Sequence, residues 1–324
     1  MEKKDLRIVF MGTPDFAVTS LKALVDGGYN VVGVITMPDK PAGRGYKLQC
    51  SPVKEYALEC NIPVLQPEKL KNPAFLDDLK ALNADLQVVV AFRMLPEVVW
   101  NMPRFGTFNL HGSLLPQYRG AAPINWAIIN GETETGVTTF FLTHEIDTGR
   151  VIFQKKIEIA DTDDVEIVHD ALMAVGAELV CQTVDAVIVG KIDSIPQDQL
   201  LTETTVLNAA PKIFKETCRI DWNKGAKKVY DFVRGLSPYP AAWSEFRNHE
   251  GVVFQIKVYS TEKRFIAHQY ASGSVQTDGK TFFDVAVSDG YIRILTMQLA
   301  GKKRMNIDEF LRGFKLTGEL VFTT

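Results

Sequence analysis

LRIVFMGTPDFAVTSLKALVDGGYNVVGVIT, residues 6–36, is where the fold is decided. Residues 6–11 are an apolar run of strand length, broken only by Arg7, that stops at Gly12. Thr13, Pro14 and Asp15 then open a helix that runs to about Asp26, and residues 29–36 read as a second strand. Strand, helix and strand in that order predict a parallel pair joined by a right-handed crossover. The turn after the first strand is Gly12-Thr-Pro rather than Gly-x-Gly-x-x-Gly, so a dinucleotide site is not supported.

The alternation continues downstream. A helix is expected over 51–61 with Pro52 near its start, a short strand over 63–66 and a helix over 72–82. Residues 84–92 are strongly apolar and rich in β-branched side chains, as a central strand requires. A strand over 106–110, a helix over 122–130 with Pro123 in its first turn, strands over 136–142 and 151–157, and a long helix over 165–190 complete the series. The fold class is therefore α/β, a doubly wound, mostly parallel Rossmann-like sheet. Residues 191–205 are polar and aperiodic and read as a linker. Beyond them a helix over 225–236 precedes short strands over 252–259, 273–277, 282–288 and 291–299, separated by Asp-Gly turns, and a short helix follows over 307–313. That texture predicts a small β-barrel. The expected domains are 1–190, the linker 191–205, and 206–324.

Composition bounds the class. The chain has 324 residues, 46% hydrophobic and 23% charged, which is ordinary for a globular protein. No apolar run is expected to approach the roughly 20 residues of a membrane span. Met-Glu-Lys-Lys-Asp leads directly into the first strand without a signal-peptide core. Cys50, Cys60, Cys181 and Cys218 show no C-x-x-C spacing, which points to reduced thiols and no metal site. These features together predict a cytoplasmic protein with no membrane partner; a monomer is expected, though no residue pattern decides the oligomeric state. Net charge is −3, but residues 206–324 carry 18 basic and 12 acidic residues, a net +6, against −9 before them. A basic half suits a polyanionic partner and equally an uneven, uninvolved surface.

The chemistry gathers in FNLHGSLLPQYRGAAPIN, residues 108–125. Asn109 and His111 are two apart on an extended chain and share one face. Asn109 offers amide N–H groups, and His111 an acid or base near neutral pH. The turn 145–149 supplies Asp147 between two strands. A carboxylate beside an imidazole and an amide can polarise a carbonyl and manage an amine proton. No Gly-x-Ser-x-Gly elbow surrounds Ser113, so a serine hydrolase is not supported. On residue chemistry alone, a structural histidine beside a common turn fits as well.

NLHGSLLPQYRGAAPINWAI, followed by ETGVT and EIDTGRVI, resembles the formyltetrahydrofolate-dependent formyltransferase family. The opening LRIVFMGTPDFAV and the loop PDKPAGRGYKLQCSPVK are similar to the branch of that family that acts on methionyl initiator tRNA. The resemblance spans the chain. It implies that Asn109, His111 and Asp147 are catalytic. It also implies that Ser113, Leu114, Leu115 and Pro116 form a folate-binding loop, and that 10-formyltetrahydrofolate is the formyl donor, with no metal. Arg93 stands where that branch is expected to carry glycine. Arginine there resembles the smaller formyltransferase of purine synthesis, and the position falls beside the folate site. The loop carrying Lys40, Arg44 and Lys47 is expected to contact the tRNA acceptor arm, and an OB-like barrel is implied for 206–324. The cluster Lys302, Lys303 and Arg304 offers phosphate contacts there. The same trio would serve an enzyme that formylates a sugar nucleotide or one that hydrolyses the folate, and the basic second domain argues for the larger substrate.

Overall fold

Residues Ile8–Gly12, all buried, make strand β1. The structure, a computed structural model, describes residues 1–42, 47–248, 250–314 and 320–323. After β1 come α1 (Asp15–Asp26), β2 (Val31–Ile35), a hairpin of β3 (Lys40–Ala42) and β4 (Lys47–Gln49), α2 (Pro52–Glu59), β5 (Val64–Leu65) and α3 (Pro73–Ala81). Then follow β6 (Leu86–Val90), α4 (Glu97–Trp100), β7 (Thr107–His111), β8 (Arg119–Gly120), α5 (Pro123–Ile129), β9 (Glu134–Phe141), β10 (Val151–Glu158) and α6 (Val165–Val189). Seven strands form one sheet in the order β10-β9-β7-β6-β1-β2-β5. It is parallel from β7 to β5, and β9 runs antiparallel to β7.

Register decides which side chains share a face. Met11, Val89 and Asn109 lie side by side across β1, β6 and β7. Val9, Met11 and Val89 pack with Phe75 and Leu79 of α3 and Val99 of α4. The opposite face carries α6, where Gly176 leaves room for Leu110 of β7. Helices on both faces explain why the parallel strands read as continuous apolar runs.

Two helix starts are capped as their sequence suggests. Asn72 accepts from Ala74 N at 3.0 Å. Ser51 Oγ accepts from Lys54 N at 3.1 Å and bonds Thr36 Oγ1, which is fully buried, at 2.7 Å. Ser51→Ala therefore loses a cap and strands a buried hydroxyl. It is expected to cost about 1–3 kcal/mol, read as a lower urea midpoint at unchanged slope.

One expectation is corrected. α6 is, by length and composition, long and apolar enough to cross a membrane. Glu166, Asp170, Glu178 and Asp185 interrupt the run enough to hide it from a strict count. In the fold Leu172, Leu179, Val180 and Val184 of this helix are buried, and Thr183 donates to Thr139 of β9 at 2.9 Å.

The remaining elements are β11 (Ala209–Ala210), α7 (Ala226–Arg234), β12 (Ala242–Arg247), β13 (Val253–Arg264), β14 (Val275–Thr277), β15 (Phe283–Val287), β16 (Gly290–Leu299), β17 (Met305–Asn306), α8 (Ile307–Gly313) and β18 (Val321–Phe322). They build a sheet in the order β14-β15-β16-β13-β12-β18. A bridge from Ser274 to Val321 and the bond from Phe322 N to Gly273 O (2.8 Å) bring its two edges together. The result is a nearly closed antiparallel barrel around Trp222, Phe246, Ile256, Phe283, Ile294 and Phe322. β12 and β18 were not expected from sequence, and closure depends on both.

The chain divides into two units in a pattern no linear reading anticipates. The first is Met1–Gly120, Thr135–Ile157 and His169–Ala209; the second is Ala121–Glu134, Glu158–Val168 and Ala210–Thr324. Residues 191–205, read as a linker, thus lie within the first unit. The segment with α5, read as part of the 1–190 domain, lies within the second. Its Asn125 donates to Gly235 O (2.8 Å) and Trp126 Nε1 to Pro211 O (2.8 Å).

Candidate active site

Asn109 and His111 lie on one side of β7, where the parallel strands end and ligands of open α/β sheets bind. Across the antiparallel pairing they face Phe140 and Thr138 of β9. Among the described residues the Asn109 side chain makes no hydrogen bond, and it is half-buried. His111 is 6% exposed. Its Nε2–H donates to Tyr118 O at 2.9 Å, and the edge of Phe140 stands against the ring at 6.5 Å. Tyr118 has φ 58°, which turns its carbonyl back toward the strand.

Asp147 comes from the turn between β9 and β10. Its Oδ2 stands 3.9 Å from His111 Nδ1 and accepts from Gly120 N at 2.9 Å. The turn requires glycine at 149, since a Cβ there would collide with Phe141 O. One tautomer satisfies the ring: Nε2 carries hydrogen for Tyr118 O. Nδ1 and the carboxylate then face the same gap, too wide for a direct bond. A proton entering that gap meets two acceptors, and the Asn109 amide lies on the same strand face. The three residues predicted from sequence are brought together.

The segment Ser113–Pro116 is a fixed shelf. Ser113 Oγ donates to Gln117 O at 2.6 Å, and Thr138 Oγ1 donates to Ser113 O at 2.6 Å. Leu115 N donates to Thr138 Oγ1 at 3.1 Å, and Leu115 O accepts from Gln154 Nε2 at 2.7 Å. Leu115 is buried with Phe140 and Val151, Pro116 is buried and Leu114 half-buried. Arg93, beyond β6, spends its terminal nitrogens on the carbonyls of Glu68 (2.8 Å) and Pro67. Its Nε is buried without a partner, and burial lowers its pKa. Met94 beside it is 75% exposed.

The hairpin of β3 and β4 is pinned at its base. Lys54 Nζ bonds Asp39 Oδ2 at 2.5 Å, and Gln66 Nε2 donates to Asp39 Oδ1 and to Met37 O, each at 2.8 Å. The Lys54 bond holds the Asp39 carboxyl below its ordinary pKa. Lys40 is exposed at the start of this hairpin and Lys47 begins β4; Arg44 lies outside the described residues. Among the described residues no three His, Cys, Asp or Glu side chains are grouped as a metal would need.

On the second unit, Lys302, Lys303 and Arg304 are exposed, and Arg304 lies 4.2 Å over the Tyr259 ring. The pairing of the barrel strands extends this cluster. Tyr259 shares a face of β13 with Lys257, and Lys257 pairs with Trp243 of β12 and Gln298 of β16. Lys215 and Arg219 lie over Trp243 at 5.9 and 5.7 Å. Gln298 Nε2 donates to Lys302 O at 2.8 Å. One barrel face therefore carries a basic stripe interleaved with aromatic rings, of which sequence reading found only the 302–304 end.

Known proteins agree with this architecture. Residues 6–184 match the formyl transferase model, and residues 212–315 match the formyl transferase C-terminal domain. The methionyl-tRNA formyltransferase of Parabacteroides distasonis is 67% identical over 320 residues, covering 98% of this chain and 99% of its own. That of Bacteroides fragilis is 67% identical over 317 residues, 98% of each chain. Among solved structures, an N-formyltransferase from Helicobacter canadensis complexed with folinic acid and dTDP-3-aminofucose superposes with a TM-score of 0.61 at 17% identity. That likeness covers 93% of this chain and 100% of the other, and concerns the fold alone.

Proposed function

The chain belongs to the formyl transferase family, and from that premise we propose that it moves a formyl group from 10-formyltetrahydrofolate to the α-amino group of methionine on the initiator tRNA. The reaction serves translation initiation in the cytoplasm. The observation that carries the reading is the convergence of Asn109, His111 and Asp147 at the end of β7 in a chain with these relatives.

The folate supplies a formyl carbonyl to the substrate amine. Asn109 directs its free amide N–H at the oxygen that gains negative charge. His111 Nδ1 takes the proton the amine loses as its nitrogen bonds the formyl carbon, since Nε2–H is already given to Tyr118 O, and returns it to N10 of the folate as the bond between the formyl carbon and N10 breaks, releasing tetrahydrofolate. Asp147 faces the imidazolium so formed and stabilises it. The shelf Ser113–Pro116 and Arg93 are assigned to the folate. The buried, unpartnered Arg93 Nε and exposed Met94 offer a donor beside an apolar surface, which fits a flat heteroaromatic ring rich in acceptors. Lys40, Arg44 and Lys47 are assigned to the acceptor end of the tRNA, and Lys302, Lys303 and Arg304, with their stripe, to its phosphates.

The test is transfer of labelled formyl from 10-formyltetrahydrofolate to charged initiator tRNA, with uncharged tRNA and an amino-sugar nucleotide alongside. Label is expected only in the charged tRNA. Label in the sugar nucleotide, or in none of the three, overturns the assignment.

A further inference from the structure

Gln197 is 4% exposed, in the stretch that sequence assigns to a linker. Its carboxamide makes four hydrogen bonds. Oε1 accepts from Arg119 Nε (3.0 Å) and Nη2 (2.6 Å), and Nε2 donates to the carbonyls of Asp147 and Gly149, each at 2.8 Å. These bonds close a ring. Arg119 is followed by Gly120, whose N–H holds Asp147 Oδ2 at 2.9 Å, and the Asp147 carbonyl returns to Gln197. Asp147 has φ 55°, a left-handed conformation that a residue with a side chain adopts only under strain. The turn therefore needs outside support, and Gln197 grips it by two carbonyls.

We infer that Gln197 is a positioning residue of the transfer reaction. It fixes the backbone of Asp147 on one side and the Arg119–Gly120 corner on the other, so that the carboxylate faces His111 Nδ1. Only a carboxamide can do this, because the site asks for two donors and one acceptor at the end of a side chain of this length. Glutamate keeps the Arg119 bonds but loses both donors and sets a negative charge against two carbonyls. Methionine keeps the length and loses every bond. The inference rests on the reading of Asp147 and His111 as catalytic.

The experiment is a cycle of Q197M, Q197E, D147N and the Q197M/D147N double variant, assayed for formyl transfer to charged tRNA. Q197M and Q197E are each expected to lower kcat toward the roughly 100-fold cost of misplacing a catalytic group by about 1 Å. KM for tRNA and for folate should stay within about twofold of the parent. The double variant should turn over within about twofold of D147N alone, because Gln197 acts through the residue already disabled. A double variant that loses the product of the two single effects shows a merely structural glutamine and overturns the inference, as do single variants at the parental kcat. Near-ultraviolet circular dichroism checks the fold, and where Q197M is unfolded Q197E decides. D147N at parental turnover would instead sink the catalytic reading, taking this inference with it, so the two failures are distinguishable.

Discussion

His111→Ala turns over roughly 10²- to 10⁴-fold more slowly than the parent and binds charged tRNA as tightly. The size follows from its position. In the proposed mechanism the ring is the proton acceptor; it is buried, with one nitrogen already committed to Tyr118 O and the other facing Asp147. The alanine leaves Asp147 with no imidazolium to stabilise, and nothing else among the sequence candidates supplies a base there. Asp147→Asn is the sharper variant. Asparagine tolerates the left-handed backbone at φ 55° and can still accept from Gly120 N, so geometry survives while charge is lost. Its turnover should fall by a comparable factor. Asn109→Ala removes the proposed oxyanion donor, for which roughly 10²- to 10³-fold is expected. Single-turnover formylation with filter binding of charged tRNA separates chemistry from affinity. Parental rates in His111→Ala and Asp147→Asn would remove the mechanism.

The first sheet was legible because its signals are local. Apolar runs ending in Gly12 or entering Ala91 mark buried parallel strands, and Ser51, Asn72 and Pro123 mark helix starts within a residue or two. Asn109 and His111 could be read as a pair because strand periodicity is strict. Asp147 needed its turn, whose Gly149 has no room for a side chain. What escaped was set at long range. β18 is two residues long and exists because Phe246 and Arg247 pair with it. β12 alternates buried Ala242, Ser244 and Phe246 with outward Trp243 and Glu245, a pattern in which serine inside and tryptophan outside invert the usual hydropathy signal. The serine is satisfied by Trp222 Nε1 at 2.9 Å. Gln197 carries no local pattern at all, since its partners lie 48 to 78 residues away in sequence. The assignment of α5 to the second unit rests likewise on bonds from Asn125 and Trp126 across 110 and 85 residues.

The barrel face yields the other large effect. Lys257→Ala, Lys302→Ala and Lys303→Ala together should weaken tRNA binding on the order of 10²- to 10³-fold near 0.1 M salt, given a slope of about −0.9 per phosphate contact. The reasoning starts from charge. Residues 206–324 hold a net +6 in a chain whose total is −3, and among the described residues Lys257, Lys302, Lys303 and Arg304 make no ion pair with an acid. Lys302 and Lys303 are exposed at the turn that Gln298 fixes, and Lys257 stands between Tyr259 and Trp243 on the same face. Arg304 over Tyr259 and Lys215 with Arg219 over Trp243 show cations resting on rings, which leaves their charge directed outward. Phosphates that meet such a stripe release counterions, so the slope of log affinity against log salt should flatten by roughly one unit per lysine removed. The loss should be alike for initiator and elongator tRNA, because backbone contacts carry no sequence. A control pair, Lys71→Ala with Lys80→Ala, lowers the charge by exposed lysines of α3 and the turn before it and should leave affinity near the parent's. Filter binding across a salt series reads all of these. A triple variant that keeps the parental slope would place the RNA on some other surface, and a control pair that loses as much would reduce the stripe to net charge alone.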